Sequence, residues 1–221
     1  MAKLAELGLK NEKVGGEVGF ADLPKQGGFM PLLQPGRYRF QLPANLGDVF
    51  DKVDTQKGER LNAVFDQNAP LVIVQAPAQY EDRVGEPFQV RLSNAERPRG
   101  KDKIEVSDMD YLLRALGESK PAGVKWTNLQ YGQALAKHGG KQFDATVSLS
   151  WYCNPKRDIY VDDGQGGYTE VAGTKGCDTR YYQKDVDKQE DGQYAERITC
   201  GGKDGQCGAS IRAFAGFDAI G

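Results

Sequence analysis

The stretch FDATVSLSWYC, residues 143–153, decides the fold, because apolar and polar residues alternate along its length. Every second residue from Phe143 to Cys153 is apolar, and a period of two is typical of a β-strand with one buried face. We predict a long strand whose buried face ends at a cysteine. The same alternation turns Trp151 into the core and Tyr152 outward.

That cysteine is the first of four, and all four lie in the last third of the chain: Cys153, Cys177, Cys200 and Cys207. Each borders glycine or another turn-forming residue, and a tight turn suits a thiolate ligand because backbone N–H groups can support the sulfur. The intervening segments of 23, 22 and 6 residues lack the two-residue spacing of a zinc knuckle. We predict one structural zinc ion, with two disulfides or buried unpaired thiols as the alternatives.

The start of the chain and its overall charge narrow the class of protein. Residues 1–28 are polar and rich in glycine, and we expect a flexible arm. No apolar signal segment follows Met1, so we expect a cytoplasmic protein, whose reducing surroundings disfavour disulfides. No apolar run is long enough to span a membrane. The net charge of −2 gives no general attraction to polyanions, so any nucleic-acid site has to come from a local cluster of cations.

Short alternating runs precede residue 143 and predict a meander of about four strands. Long helices are disfavoured because 28 glycines and 10 prolines are spread along the chain. The best helix begins at Ser107, which forms a capping-box pattern with Asp110, and ends at Gly117. A second short helix is predicted at 128–138. The predicted strands are 37–42, 61–65, 71–74 and 88–92.

The sequence gives little indication of catalysis. His138 is the only histidine, which excludes metal sites built from several histidines. No glycine-rich phosphate loop ending in lysine and a hydroxyl residue is present. The carboxylates occur in no motif that fixes the distance between two of them. We therefore expect a protein that is not an enzyme.

A basic stretch between the fourth predicted strand and the first helix indicates binding instead. Its thirteen residues hold five cations and two acidic residues, a local net charge of +3; the cations are Arg91, Arg97, Arg99, Lys101 and Lys103. Cations near exposed rings suit single-stranded nucleic acid, because the cations contact phosphates while the rings stack on bases. Tyr152 is the candidate ring, with Lys156 and Arg157 close to it in sequence. The alternative is a solvated loop without a ligand.

Three segments of the chain follow one another in a recognisable order. They are the strand beginning Pro35-Gly36-Arg37-Tyr38, the helix over 108–117 with its final leucine-glycine step, and the G-K-x-F-x-A-x-V pattern at 140–147. This order resembles the OB-fold single-stranded-DNA-binding proteins of tailed bacteriophages, with a zinc-ribbon-like region added after it. The resemblance implies a barrel that binds single strands during replication or recombination without strong sequence preference.

The prediction for the whole chain is a mainly β protein in three parts. It comprises the flexible arm at 1–28, an OB-like five-stranded barrel with one or two short helices at 29–152, and a zinc-stabilised β-hairpin region packed on the barrel at 153–221. The expected function is non-catalytic binding of single-stranded DNA in phage replication or recombination, beside other replication or recombination proteins in the host cytoplasm. The main alternative is a structural or assembly protein of a virus particle. A zinc-ribbon accessory to RNA polymerase is a third.

Overall fold

The computed structural model describes most of the chain after residue 31. The described residues are 32–55, 58–99, 104–121, 123–165, 167–202, 205 and 207–220. The predicted arm at 1–28 lies outside them. Within this part of the chain the protein is mainly β, as predicted, and neither of its α-helices is long and apolar enough to cross a membrane.

The elements follow in chain order. The strands are β1 (Gly36–Gln41), β2 (Phe50–Thr55), β3 (Gly58–Phe65), β4 (Leu71–Gln75), β5 (Pro87–Phe88), β6 (Val90–Ser93), β7 (Arg97–Arg99), β8 (Ile104–Val106), β9 (Gln142–Tyr152), β10 (Asp158–Asp162), β11 (Tyr168–Lys175), β12 (Arg180–Tyr182), β13 (Arg197–Thr199) and β14 (Ser210–Ile220). The helices are α1 (Asp108–Ala115) and α2 (Asn128–Ala136), and short 3-10 turns lie at Ala78–Arg83 and Gln183–Asp185.

Strand β9, predicted from the alternation at 143–153, is the centre of a seven-stranded sheet. Along one edge it pairs antiparallel with β1 at its first half and with β12 at its last three residues. Along the other edge it pairs with β14 over most of its length. Strands β4 and β5 continue the sheet beyond β1, and β13 continues it beyond β14. Both ends of the described chain therefore meet on β9.

The buried face of β9 serves two hydrophobic cores in succession. Phe143, Ala145 and Val147 pack into a first core that also contains apolar side chains of β1, β3, β4 and both helices. Leu149 and Trp151 pack into a second core near the C-terminal hairpins. The side chain of Trp151 is 0% exposed, which confirms its predicted place in the core. The division of the chain at 152 and 153 stays a prediction, since β9 and β14 contribute to both cores.

The predicted closed barrel is wrong for the described residues, because the strand pairings do not close. The predicted meander requires neighbouring strands to pair in sequence order. Instead, the two edges of β1 are taken by β4 and β9, and the two edges of β3 by β2 and β6. No pairing among the described strands joins the three-stranded sheet β2-β3-β6 to the large sheet, although both contribute to the first core.

The first predicted helix is confirmed with its cap. The N–H of Asp110 donates to Oγ of Ser107 at 3.0 Å, and the N–H of Ser107 donates to Oδ2 of Asp110 at 2.9 Å. Its apolar stripe, including Met109 and Leu112, is buried in the first core. Gly117 ends the helix at φ 89°, a conformation that favours glycine. Helix α1 contacts β14 and thus supports the central sheet from one side.

Candidate metal centre and adjoining groove

The fold brings together four cysteines that are far apart in sequence. The Sγ atoms of Cys153, Cys177, Cys200 and Cys207 all lie within 4.8 Å of one another. Cys153 and Cys200 are buried, and the other two are half-buried. All four predicted ligands therefore share one site, within metal-binding distance of each other.

The cysteines lie at the ends of two strand pairs, β9 with β12 and β13 with β14. Where β9 leaves the sheet, the N–H of Cys153 donates to the carbonyl of Thr179 and the N–H of Asp178 donates back to Cys153, both at 2.9 Å. Where β13 leaves it, the N–H of Cys200 donates to the carbonyl of Ala209 at 2.7 Å. One end therefore supplies Cys153 and Cys177, and the other supplies Cys200 and Cys207.

The short sulfur contacts join one end to the other. The Sγ atoms of Cys153 and Cys207 are 3.6 Å apart, and those of Cys177 and Cys200 are 3.4 Å apart. A disulfide requires about 2.0 Å, and all four cysteines are free thiols in the structure. Four sulfurs at about 2.3 Å from a zinc ion would be separated by about 3.8 Å along each edge of the tetrahedron. The observed spacing therefore fits a tetrahedral thiolate site.

Neighbouring groups hold the sulfurs in place. The N–H of Cys177 donates to Sγ of Cys153 at 3.3 Å. The hydroxyl of Tyr181 lies 3.7 Å from Sγ of Cys200 and accepts a hydrogen bond from the N–H of Gly201 at 3.0 Å. Groups that orient ligands in this way are typical of metal centres.

Gly176 makes possible the close approach of Cys177 to Cys153. A Cβ atom at Gly176 would overlap the backbone carbonyl of Asn154. The segment before Cys177 therefore packs directly on the backbone that follows Cys153, and this packing requires glycine.

The thiols of Cys153, Cys177 and Cys200 have shifted pKa values. Burial raises the pKa of the Cys153 and Cys200 thiols. Burial also acts to raise the pKa of Cys177, but hydrogen bonds with Thr179 and with neighbouring thiols outweigh it and lower that pKa to about 6. Cys177 thus forms a thiolate readily, whereas thiolates at Cys153 and Cys200 need a compensating cation. The donor set therefore suits a soft divalent metal.

A groove of about 870 Å³ lies directly against this centre. We call it the basic groove, and four cations line it: Lys156, Arg157, Arg197 and Arg212. Two acidic residues also line it, of which Asp158 is paired with Lys175 at 2.8 Å and Glu170 accepts a hydrogen bond from Tyr160. The lining carries a net charge of +2, although the whole chain is slightly acidic.

Three rings complete the basic groove: Tyr152, Tyr160 and Phe214. Phe214 is 56% exposed and Tyr160 is 44% exposed, so both rings are open to solvent. Tyr152, the ring predicted from sequence, is half-buried, with the guanidinium of Arg180 4.6 Å above its centre and its hydroxyl donating to Asp178 at 2.6 Å. One face of its ring is therefore already covered.

The structure separates the predicted nucleic-acid residues into two groups. Tyr152, Lys156 and Arg157 lie together in the basic groove. Within the basic stretch, residues 97–99 form β7, which pairs antiparallel with β8 in a hairpin, and Arg97 on β7 is exposed. Arg91 precedes this hairpin on β6 and lies 3.5 Å from Asp51 in an ion pair. The side chains of Arg99, Lys101 and Lys103 lie outside the described part of the chain.

Sequence reasoning missed Arg197, Arg212 and Phe214. Arg212 and Phe214 could have been found from the sequence, because apolar and polar residues alternate at the start of the segment 210–220. On β14, the buried Ile211 and Ala213 alternate with the exposed Arg212 and Phe214. Arg197 of β13 lies opposite Arg212 in the antiparallel pairing of β13 with β14.

Comparison with protein-family models, curated proteins and solved structures finds no match to this chain. The function therefore has to be argued from the chemistry of the metal centre and the basic groove.

Proposed function

We propose that this protein binds single-stranded DNA without catalysis, and that the strand lies in the basic groove beside the cysteine cluster. The observation that carries the proposal is the presence of exposed cations and exposed rings in one groove. Single-strand binders combine a positive groove, which follows the phosphates, with rings on which bases stack. Lys156 and Arg157 on one side and Phe214 on the other supply both components.

Charge favours the basic groove over a second groove of similar size. That second groove, of about 890 Å³, lies beside α1. Its described lining holds four acidic residues against three cations, a net charge of −1 where the basic groove has +2. A net negative lining repels phosphates, whereas the basic groove attracts them.

The exposed rings favour single strands over duplex. A base can stack on Phe214 only if it is unpaired and turned out of a helix, and duplex bases are already stacked on one another. Stacking tolerates any base, because every base has a π face. The expected binding is therefore weakly dependent on sequence and strongly dependent on salt.

The proposed metal is one zinc ion with a structural role, bound by all four cysteines. A closed set of four thiolates leaves no open position for a substrate, which is typical of structural zinc. Iron prefers the same tetrahedral sulfur set and is the main competitor. Elemental analysis of the purified protein distinguishes the two metals.

The proposed biological setting is phage replication or recombination, in the cytoplasm of the host and beside other proteins of those processes. Its support is the order of the strand at 35–38, the capped helix and the pattern at 140–147, which resembles phage single-strand binders. The proposal does not require a closed barrel, since the basic groove is formed by β9, β14 and the hairpin β10–β11.

Neutralising Lys156 and Arg157 together, by substitution with glutamine, should weaken binding of oligonucleotides of any sequence. Each lost phosphate contact lowers the slope of log affinity against log salt by about 0.7 on single strands, so the expected change is about 1.4. The measurement is a salt titration of fluorescence anisotropy. The matched control, Arg91→Gln with Arg97→Gln at the hairpin β7–β8 and the strand before it, removes the same charge outside the basic groove. A slope that changes only in the control would move the interface to that hairpin.

Phe214→Ala should weaken binding of single-stranded DNA by roughly tenfold or more, because one stacked base contributes about 1–3 kcal/mol. Fold stability should change little, since the ring is mostly exposed. Tyr182→Ala is the control, as Tyr182 is 51% exposed and does not line the basic groove. Equal losses in both variants would place the strand across the open sheet face, and no binding by the wild type at low salt would favour the assembly-protein alternative.

A further inference from the structure

We propose that metal binding and DNA binding are coupled, so that the bound metal raises the affinity for a single strand and the bound strand raises the affinity for the metal. This inference rests on the proposed function and concerns the regulation of the same groove. The geometry that carries it is that Cys153 lines the basic groove and that the chain segments on both sides of the groove lead into the four clustered cysteines.

Part of the lining of the basic groove, which we call its floor, is made of residues that adjoin the ligands in sequence. Cys153 itself lines the groove, together with the residues on either side of it, Tyr152 and Asn154. Gly176 precedes Cys177 and also lines it, as does Ala209, two residues after Cys207. Any displacement of the cysteines therefore changes the floor on which the strand would lie.

One side of the groove is the hairpin β10–β11, which begins and ends at the metal centre. The chain leaves Cys153, forms the hairpin and returns to Cys177. At its base the N–H of Arg157 donates to the carbonyl of Asn154 at 3.1 Å, and the N–H of Gly176 donates to the carbonyl of Arg157 at 3.2 Å. A metal bound to both cysteines would fix the two ends of the hairpin that carries Lys156, Arg157 and Tyr160.

The other side is formed by β13 and β14, which carry Arg197, Arg212 and Phe214. The loop between these strands supplies Cys200 and Cys207. Both short sulfur contacts, of 3.6 Å and 3.4 Å, run from a cysteine of the hairpin side to a cysteine of this side. A metal at the centre would therefore set the separation of the two sides, each of which carries cations and a ring.

Coupling of this kind is reciprocal for equilibrium affinities. If the metal raises the affinity for DNA by some factor, DNA must raise the affinity for the metal by the same factor. Coupling between two sites of one protein is typically about 5- to 150-fold. Because the ligands adjoin the floor of the groove, we expect an effect within this range.

The first experiment uses the zinc-loaded protein and a zinc chelator of known affinity, which competes for the metal at equilibrium. The competition is run without DNA and with a saturating oligothymidylate of about 15 nucleotides, comparable to the largest sites of single-strand binders. We expect DNA to raise the zinc affinity about fivefold or more. At a DNA concentration that only half-saturates the wild type, Phe214→Ala should show a smaller rise than the wild type, because less of the variant is bound.

The second experiment measures the reverse effect. Affinity for the oligonucleotide is compared before metal removal, after dialysis against the chelator and after zinc is restored, with a loss and recovery by the same factor expected. If the loaded protein binds DNA and its zinc affinity is unchanged by saturating DNA, the coupling is wrong while the proposed function stands. If the loaded protein does not bind DNA, the proposed function is wrong and the coupling with it.

Discussion

Cys200→Ser is expected to abolish stoichiometric zinc binding and to loosen the second core, while the first core stays folded. Cys200 is 0% exposed, and its sulfur lies 3.4 Å from that of Cys177. Structural zinc contributes about 10–16 kcal/mol of apparent binding free energy in small zinc domains, so the loss of one of four ligands removes a large share of local stability. The measurements are zinc content and hydrogen exchange of the second core, with one zinc per chain expected in the wild type.

Two further variants separate the metal from simple packing. Serine in place of Cys200 leaves a buried hydroxyl, which costs about 1–3 kcal/mol when it lacks a partner. Cys200→Ala avoids that cost and should lose zinc equally. Thr199→Ala changes the exposed neighbour and should keep both zinc and stability. A wild type that contains no metal, or a Cys200→Ser protein that retains one zinc per chain, would contradict the metal assignment.

The regular elements with a clear period could be predicted from the sequence. The alternation at 143–153 gave β9 and the inward direction of Trp151, and the capping box at Ser107 gave the start of α1. Each of these depends on contacts between residues close in sequence. Strand β2 was missed because four of its six residues are charged or polar, which leaves little alternation; they are Asp51, Lys52, Asp54 and Thr55.

Strand pairing could not be predicted, because it depends on contacts far apart in the chain. The predicted barrel followed sequence order, whereas β1 pairs with β9 more than a hundred residues later. The same limit applied to the cysteines. Their positions next to turns indicated one site, but only the pairing of β9 with β12 and of β13 with β14 brings the four sulfurs together.

Only part of the basic groove could be predicted, because its other residues come together through strand pairing. Lys156 and Arg157 lie near Tyr152 in sequence, so the sequence pattern predicted them. Arg197 and Phe214 reach the groove only through β13 and β14. The local density of positive charge instead favoured the basic stretch, but there Arg91 forms an ion pair with Asp51.

Trp151→Ala is expected to be the most destabilising change in the second core that does not touch a metal ligand. The side chain is 0% exposed and packs in that core, with its ring centre 6.1 Å from that of Tyr194. Truncating a buried tryptophan to alanine typically costs about 3–5 kcal/mol, from lost burial and from the cavity left behind. The measurement is the free energy of unfolding in denaturant.

The adjacent residue is the matched control. Tyr152 lies on the opposite face of β9, and its loss should cost far less, mainly through the hydrogen bond from its hydroxyl to Asp178. Trp151→Phe should fall between the two, because it keeps most of the buried ring and removes an indole N–H that has no hydrogen-bond partner among the described residues.

The comparison of Trp151→Ala with Tyr152→Ala also tests the metal centre, because β9 leads directly into Cys153. A slip of one residue in the register of a strand turns every side chain to the other face. Such a slip would expose Trp151, bury Tyr152 and carry Cys153 away from the other three sulfurs. If Tyr152→Ala proved as costly as Trp151→Ala, the register of β9 would be wrong and the four-cysteine site with it. A difference of about 2 kcal/mol or more in the expected direction would support both.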